Sequence, residues 1–308
     1  MRIEIAAQTD VGRRKRHNED SFGVFRVTDM PECRLIPEGA LLCVADGLGG
    51  HLAGDIASKL AVAILKDMLK QTPPEIDPDE ENPDKGILDV IRKAILRANE
   101  SIFQTNRDNG LLDTGRPMGT TLLAVLVTPR KVFIGNVGDS RCYHIREGEI
   151  IARTEDHSWV DEQVKLGLMS KAEAESDGRK NLVTRSIGTS PEVEPDVYVW
   201  HTVPGDTLLL CTDGLVNMVK DAEIVEEFKR NASPAEICHR LVVKANDNGG
   251  KDNITVVVAD IEPSLGTVIR RKIWTFSKKR GAGLLWFLLA VLYGVACFAA
   301  GYFTALHR

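Results

Sequence analysis

Residues 41–55 read LLCVADGLGGHLAGD. An unbroken apolar run ends on Asp46, and four glycines follow within residues 47–54. A short apolar run of this kind reads as a β-strand. Asp46 then stands at the strand end, where missing glycine side chains let carbonyls and water approach closely. The same arrangement recurs along the chain. Asp213 follows LLLCT (208–212) and precedes Gly214. Asp252, in GGKDN (249–253), stands just before ITVVVA (254–259), and Asp20 follows Glu19 in HNEDS (17–21). A single Asp-Gly after a strand is an ordinary turn. Three strand-end aspartates and an N-E-D segment in one chain predict a shared cleft. Carboxylates, carbonyls and water suit Mg²⁺ and Mn²⁺, and crowded carboxylates need a cation to offset their repulsion.

Outward from these sites, apolar β-type runs occupy 40–45, 121–127, 131–137, 207–211 and 254–259. Helical periodicity covers 54–70, 86–105, 158–167, 222–229 and 234–246, with Asp221 and Ser233 as N-caps of the last two. Strands cluster in pairs and do not alternate strictly with helices, which indicates an α+β fold and not a doubly wound parallel sheet. The segment 73–84, PPEIDPDEENPD, reads as a solvated acidic loop between helices.

Composition divides the chain. It has 308 residues, 43% hydrophobic and 27% charged, with net charge −5, which excludes disordered and collagenous classes. Its six cysteines include no C-x-x-C pair, so a disulfide scaffold or zinc ribbon is not expected. Residues 263–308 hold seven Lys/Arg and no acid, leaving 32 basic against 44 acidic groups in residues 1–262, a net of −12. An acidic body argues against nucleic acid as a partner. From Gly281 to Leu306 there are 26 residues without a formal charge, enough for a membrane-spanning helix. The basic cluster Arg270–Arg280 precedes it, so the positive-inside rule places the body in the cytosol. The start, MRIEIAAQTD, carries no basic-then-apolar leader. The expectation is a domain at 1–262, a basic linker at 263–280 that can meet anionic lipid, and a C-terminal anchor at 281–306 in the lipid bilayer. Small residues four apart, Ala290 with Gly294 and Cys297 with Gly301, would permit self-association in the membrane.

An ordered series of motifs resembles the metal-dependent serine/threonine phosphatases of the protein phosphatase 2C (PPM) family, in their compact bacterial form. TDVGRRKRHNEDSF (9–22), VADGLGGHLAGDIAS (44–58), MGTTLLAVLV (118–127) and VGDSRCYHIREGEI (137–150) come first. EDHSWVDEQVKLGLMS (155–170), NLVTRSIG (181–188), LLLCTDGL (208–215) and GGKDNITVVV (249–258) follow in the expected order. The resemblance implies two packed, mostly antiparallel sheets with helices on both outer faces. It also implies that Asp46 bridges two Mn²⁺ or Mg²⁺ ions, that the Gly47 carbonyl binds one, and that Asp213 and Asp252 ligate the other. Glu19 and Asp20 would act through bound waters. A water activated by the two ions would attack phosphoserine or phosphothreonine in line. Phosphorylated proteins are the implied substrates, and anchoring suggests opposition to a membrane serine/threonine kinase. A tethered pseudophosphatase, binding phosphoproteins without turnover, is the alternative; it would require a broken metal set.

Two positions depart from the family. Lys15 stands where an arginine holds the substrate phosphate, so either Lys15 serves without the bidentate fork or Arg14 or Arg16 reaches in. Arg116 stands three residues before Gly119, where an acid would serve a third cation, with Asp113 upstream; two ions are expected. His51 is a candidate proton donor to the leaving alkoxide. His157 reads as structural, Asn253 as orienting its loop, and the segment 160–180 as a flap that tunes substrate choice.

Overall fold

The computed structural model describes residues 3–26, 39–50, 52–71, 83–230 and 232–262. The chain divides into two units, Met1–Glu262 and Pro263–Arg308. The second, holding the expected linker and anchor, lies outside the described residues, as do His51 and most of the acidic loop. Among the described residues no helix is long and apolar enough to cross a membrane.

Strands β1 (Ile3–Asp10), β8 (Arg141–Arg146), β9 (Glu149–Arg153), β11 (Asp206–Cys211) and β12 (Ile254–Ile261) form an antiparallel sheet in the order β1-β12-β11-β8-β9. Strands β2 (Ser21–Arg26), β3 (Ala40–Ala45), β6 (Leu122–Val127), β7 (Lys131–Val137) and β10 (Asp196–His201) form a second, in the order β10-β7-β6-β3-β2. Alternation along each strand sorts side chains between layers. Leu42 and Val44 of β3 meet Leu208, Leu210, Val257 and Ala259 between the sheets. Leu41 and Cys43 face instead the helices α1 (Leu52–Gln71) and α2 (Pro83–Asp108). On the other side, Leu209, Cys211, Val256 and Val258 pack with α6 (Asp221–Lys229) and α7 (Pro234–Asp247). Both faces of the central strands are covered, which is why their sequences show no polar alternation. Each fully buried leucine contributes about 2 kcal/mol of transfer free energy.

Ser233 caps α7 in a capping box with Glu236, as expected. Asp221 does not cap α6: it is that helix's first residue and Lys220 holds the cap position. Strands β1, β2, β8, β9 and β10 escaped the periodicity reading. Strand β8 shows why. His144 is buried at its centre, where Nε2 lies 2.8 Å from Asp206 Oδ2 and the ring stacks on Trp200 at 5.9 Å. A polar residue is tolerated there only because another strand supplies its partner.

Asp206 is fully buried and also accepts from Arg146 Nε at 2.7 Å and Nη2 at 2.8 Å, and from the Val203 N–H at 2.8 Å. Burial raises its carboxyl pKa, but the bonds from Arg146, His144 and Val203 more than reverse this and hold it below the usual range. A depressed carboxyl contributes stability above its unfolded pKa of about 3.9, lost as pH falls through the folded value. Asp206→Asn should therefore cost about 2 kcal/mol at pH 7. In urea titrations the gap between variant and parent should narrow below about pH 4; an unchanged gap at pH 3 would contradict this account.

Candidate active site

The strand-end loops are fixed by backbone before any side chain enters the cleft. At the end of β3, the Asp46 N–H donates to Thr121 Oγ1 at 2.9 Å. The Asp46 carbonyl accepts from the Thr121 N–H at 2.8 Å and Thr120 Oγ1 at 2.9 Å. The short strands β4 (Gly47–Leu48) and β5 (Gly119–Thr120) pair just beyond. Asn253 ties a second pair of loops together. Its Oδ1 accepts from the Glu19 N–H and its Nδ2 donates to the Val11 and His17 carbonyls, all at 2.9 Å. Its expected orienting role is visible in those bonds. Asp213 opens the short helix α5 (Asp213–Val216) directly after β11, and Asp252 precedes the neighbouring β12.

The glycines of residues 47–54 allow a close crossing of α1 over this floor. A Cβ on Gly54 would lie 2.5 Å from Glu19 Oε2 and 2.9 Å from the Gly47 carbonyl carbon. Gly54→Ala is expected to cost about 1–3 kcal/mol by overpacking. Because the displaced groups are Glu19 and Gly47, cation affinity should fall as well. Thermal melting with and without Mn²⁺ checks both effects.

The structure brings Asp20, Asp46, Asp213 and Asp252 within electrostatic reach of one another. Asp20 is buried; its Oδ2 accepts from Thr255 Oγ1 at 2.7 Å and Thr212 Oγ1 at 2.9 Å. Burial pushes its carboxyl up to about 7 against those two bonds, and repulsion from Asp213 and Asp252 adds to the rise. Burial raises Asp46 well above its ordinary range, reinforced by Asp20, Asp213, Asp139 and Asp252. Asp213 rises through burial and the charge of Asp252. Two buried oxygens, Asp20 Oδ1 and Asp213 Oδ1, have no hydrogen-bond donor. Such oxygens normally find a partner, and hard-cation chemistry supplies one. Among the described residues no three His, Cys, Asp or Glu side chains close a cation shell by themselves.

Asp139, in the V-G-D-S segment, was not singled out in the sequence. It is buried and raised well above its ordinary range by burial and by Asp213 and Asp156. The signal was present: it too is an aspartate beside glycine at the end of an apolar strand, β7. Arg116, the position tied to a third cation, is exposed.

Arg14, Lys15 and Arg16 are all exposed, and of the three Lys15 has its Nζ 2.7 Å from Asp252 Oδ1. Partial burial lowers the Lys15 pKa, but the Asp252 bond and the charges of Asp46 and Glu19 outweigh it and raise the group overall. Lys15 is thus a cation already at the cluster's edge. His157 is buried and accepts from the Gly138 N–H through Nδ1 at 3.2 Å, with Nε2 3.3 Å from Asp196. Burial and Arg185 lower its pKa, so the neutral ring braces the Asp139 loop, as its structural reading anticipated.

Fold and site together define a four-layer sandwich with a carboxylate cluster at one end of its strands. A family profile described as Protein phosphatase 2C matches residues 12–242. The Serine/threonine phosphatase stp of Listeria innocua is 40% identical over 255 residues, covering 82% of this chain and 94% of its own length. The solved serine/threonine phosphatase of S. agalactiae superposes with TM-score 0.73 at 34% identity, over 85% of this chain and all of its own. The catalytic domain of the serine/threonine phosphatase PstP, solved with 2 manganese ions, superposes with TM-score 0.66 at 33% identity, over 85% of this chain and 99% of its own. This chain belongs to the protein phosphatase 2C family.

Proposed function

We propose that the carboxylate cluster is the two-cation centre with which this serine/threonine protein phosphatase hydrolyses phosphoserine and phosphothreonine esters in proteins. The observation that carries this reading is the convergence of Asp20, Asp46, Asp213 and Asp252, with two buried carboxylate oxygens that no donor reaches. Asp46, the Gly47 carbonyl, Asp213 and Asp252 would hold the ions directly, and Glu19 and Asp20 would hold their waters. Mn²⁺ or Mg²⁺ bound there supplies Lewis acidity for water and offsets charge on the phosphoryl oxygens. Lys15 stands ready to pair with the incoming phosphate, at the cost of its bond to Asp252. Asn253 and Thr121 hold the loops so that the carboxylates need not reorganise during reaction. His51 remains the proposed proton donor to the leaving alkoxide.

The pseudophosphatase alternative is disfavoured because no carboxylate of the set is missing. Phosphate release from a phosphothreonine peptide, measured with Mn²⁺, with Mg²⁺ and with chelator, tests the centre. Turnover that survives chelation would overturn it.

The uncharged stretch 281–306, behind a basic cluster, supports a C-terminal anchor that keeps the phosphatase domain on the cytosolic face, opposing membrane-associated serine/threonine kinases. Alkaline carbonate extraction of the full chain and of residues 1–262 tests this. Release of both from membranes alike would refute the anchor.

A further inference from the structure

We propose that the cleft beside the catalytic carboxylates is a second anion subsite, selecting substrates with a negatively charged side chain near the scissile phosphoester. This rests on the phosphatase reading above and names its substrate class.

The cleft, about 500 Å³, has Asp139 and Asp213 in its lining together with the flap helices α3 (Trp159–Lys165) and α4 (Lys171–Ser176) and the start of α6. Its space is about 8 Å on a side, room for two or three residues of extended chain at roughly 3.3 Å each. It therefore begins where the reacting phosphate would be and continues along the substrate.

The cations that line it fall into two groups. Arg141 and Arg153 are committed, the first to Asp156 at 2.6 Å and the second to Asp221 at 3.2 Å. Lys171, Lys180 and Lys220 are exposed, and among the described residues none has an ion-pair partner. The lining carboxylate Asp161 accepts from Ser158 Oγ at 2.6 Å and keeps its charge, and Glu175 is the exposed acid on that wall. The cleft is thus acidic where cations and phosphate would meet, and beyond that region it carries three uncommitted lysines against the two carboxylates Asp161 and Glu175. A neutral peptide would use only the first region. A peptide with an acidic or second phosphorylated residue within about three positions would use both.

The full chain is assayed with Mn²⁺ on phosphothreonine peptides with neutral flanks, with glutamate, or with a second phosphothreonine, two residues to either side. The last two arms distinguish a carboxylate from a phosphate as the recognised anion. Exposed ion pairs are individually weak, so three together should raise kcat/KM by about tenfold for at least one anionic peptide, chiefly through KM. The preference should shrink at high salt. Lys171→Ala, Lys180→Ala and Lys220→Ala should erode it stepwise, with turnover of the neutral peptide unchanged. Equal kcat/KM for neutral and anionic peptides overturns the proposal, as does a loss in the lysine variants that falls equally on both. If neither peptide is turned over, the phosphatase reading fails separately. The preference is then read from fluorescence anisotropy of the same labelled peptides, where equal Kd values overturn it.

Discussion

Asp213→Asn is expected to lower phosphatase turnover by at least about a thousandfold, or about 4 kcal/mol of transition-state stabilisation. The same change should leave the metal-free protein more stable than its parent. Both effects follow from one geometry. Asp213 is raised by burial and by the charge of Asp252, and its Oδ1 has no donor. An asparagine amide removes a charge from that crowd and can donate toward a neighbouring carboxylate. Its remaining oxygen can still accept from Asn217 Nδ2, which now lies 2.9 Å from Asp213 Oδ2. The gain should be about 1–2 kcal/mol in chelator. Added Mn²⁺ should raise the melting temperature of the parent much more than that of the variant. Scanning calorimetry in chelator and in Mn²⁺, beside phosphate release, separates these outcomes. A variant that keeps turnover within tenfold of the parent would remove Asp213 from the centre.

Arg141→Ala should be the most destabilising single change near the site, at about 3 kcal/mol, or roughly 6–12 °C in melting temperature. Arg141 Nε lies 2.9 Å from both oxygens of Asp156 and Nη2 lies 2.6 Å from Oδ2. Its Nη1 donates to Tyr143 Oη at 3.2 Å, and that hydroxyl donates to Asp221 at 2.9 Å. The pair is largely buried, at 19% and 7% side-chain exposure, so truncating the arginine strands Asp156 close to Asp139 and Asp213. Removing the partner of a buried charge costs more than the pair contributes. Asp156→Ala added to Arg141→Ala should therefore restore much of the loss, whereas Arg141→Lys, lacking the planar fork, should restore less than half. Urea denaturation of the three variants measures both. A double variant no more stable than Arg141→Ala would show that the network matters for its packing alone.

The same contrast separates the residues that were legible in the sequence from those that were not. Asp46, Asp213 and Asp252 each announce themselves locally, as an acid beside glycine at the end of an apolar run. Asp139 carries that mark too, yet its neighbours in the cluster come from the start of α5 and the loop before α3, and nothing near it in the chain reveals this. Lys15 could be picked out by position, but its bond to Asp252 joins residues more than two hundred positions apart. Arg116, weighed by motif spacing, is left exposed by the fold.

Taken alone, the sequence determined most of the apolar central strands, the covering helices and the carboxylates at the strand ends, and its ordered motifs resembled the family to which the chain belongs. The strands, helices and carboxylates are local properties, set by apolar periodicity and by glycine beside acid. Only the tertiary structure decided which strands with polar interiors exist, how Asp139 joins the cluster, and which cations near it are already spent. Those depend on charge and hydrogen-bond partners supplied from distant segments, and a buried polar group is stable only where the fold brings its partner to it.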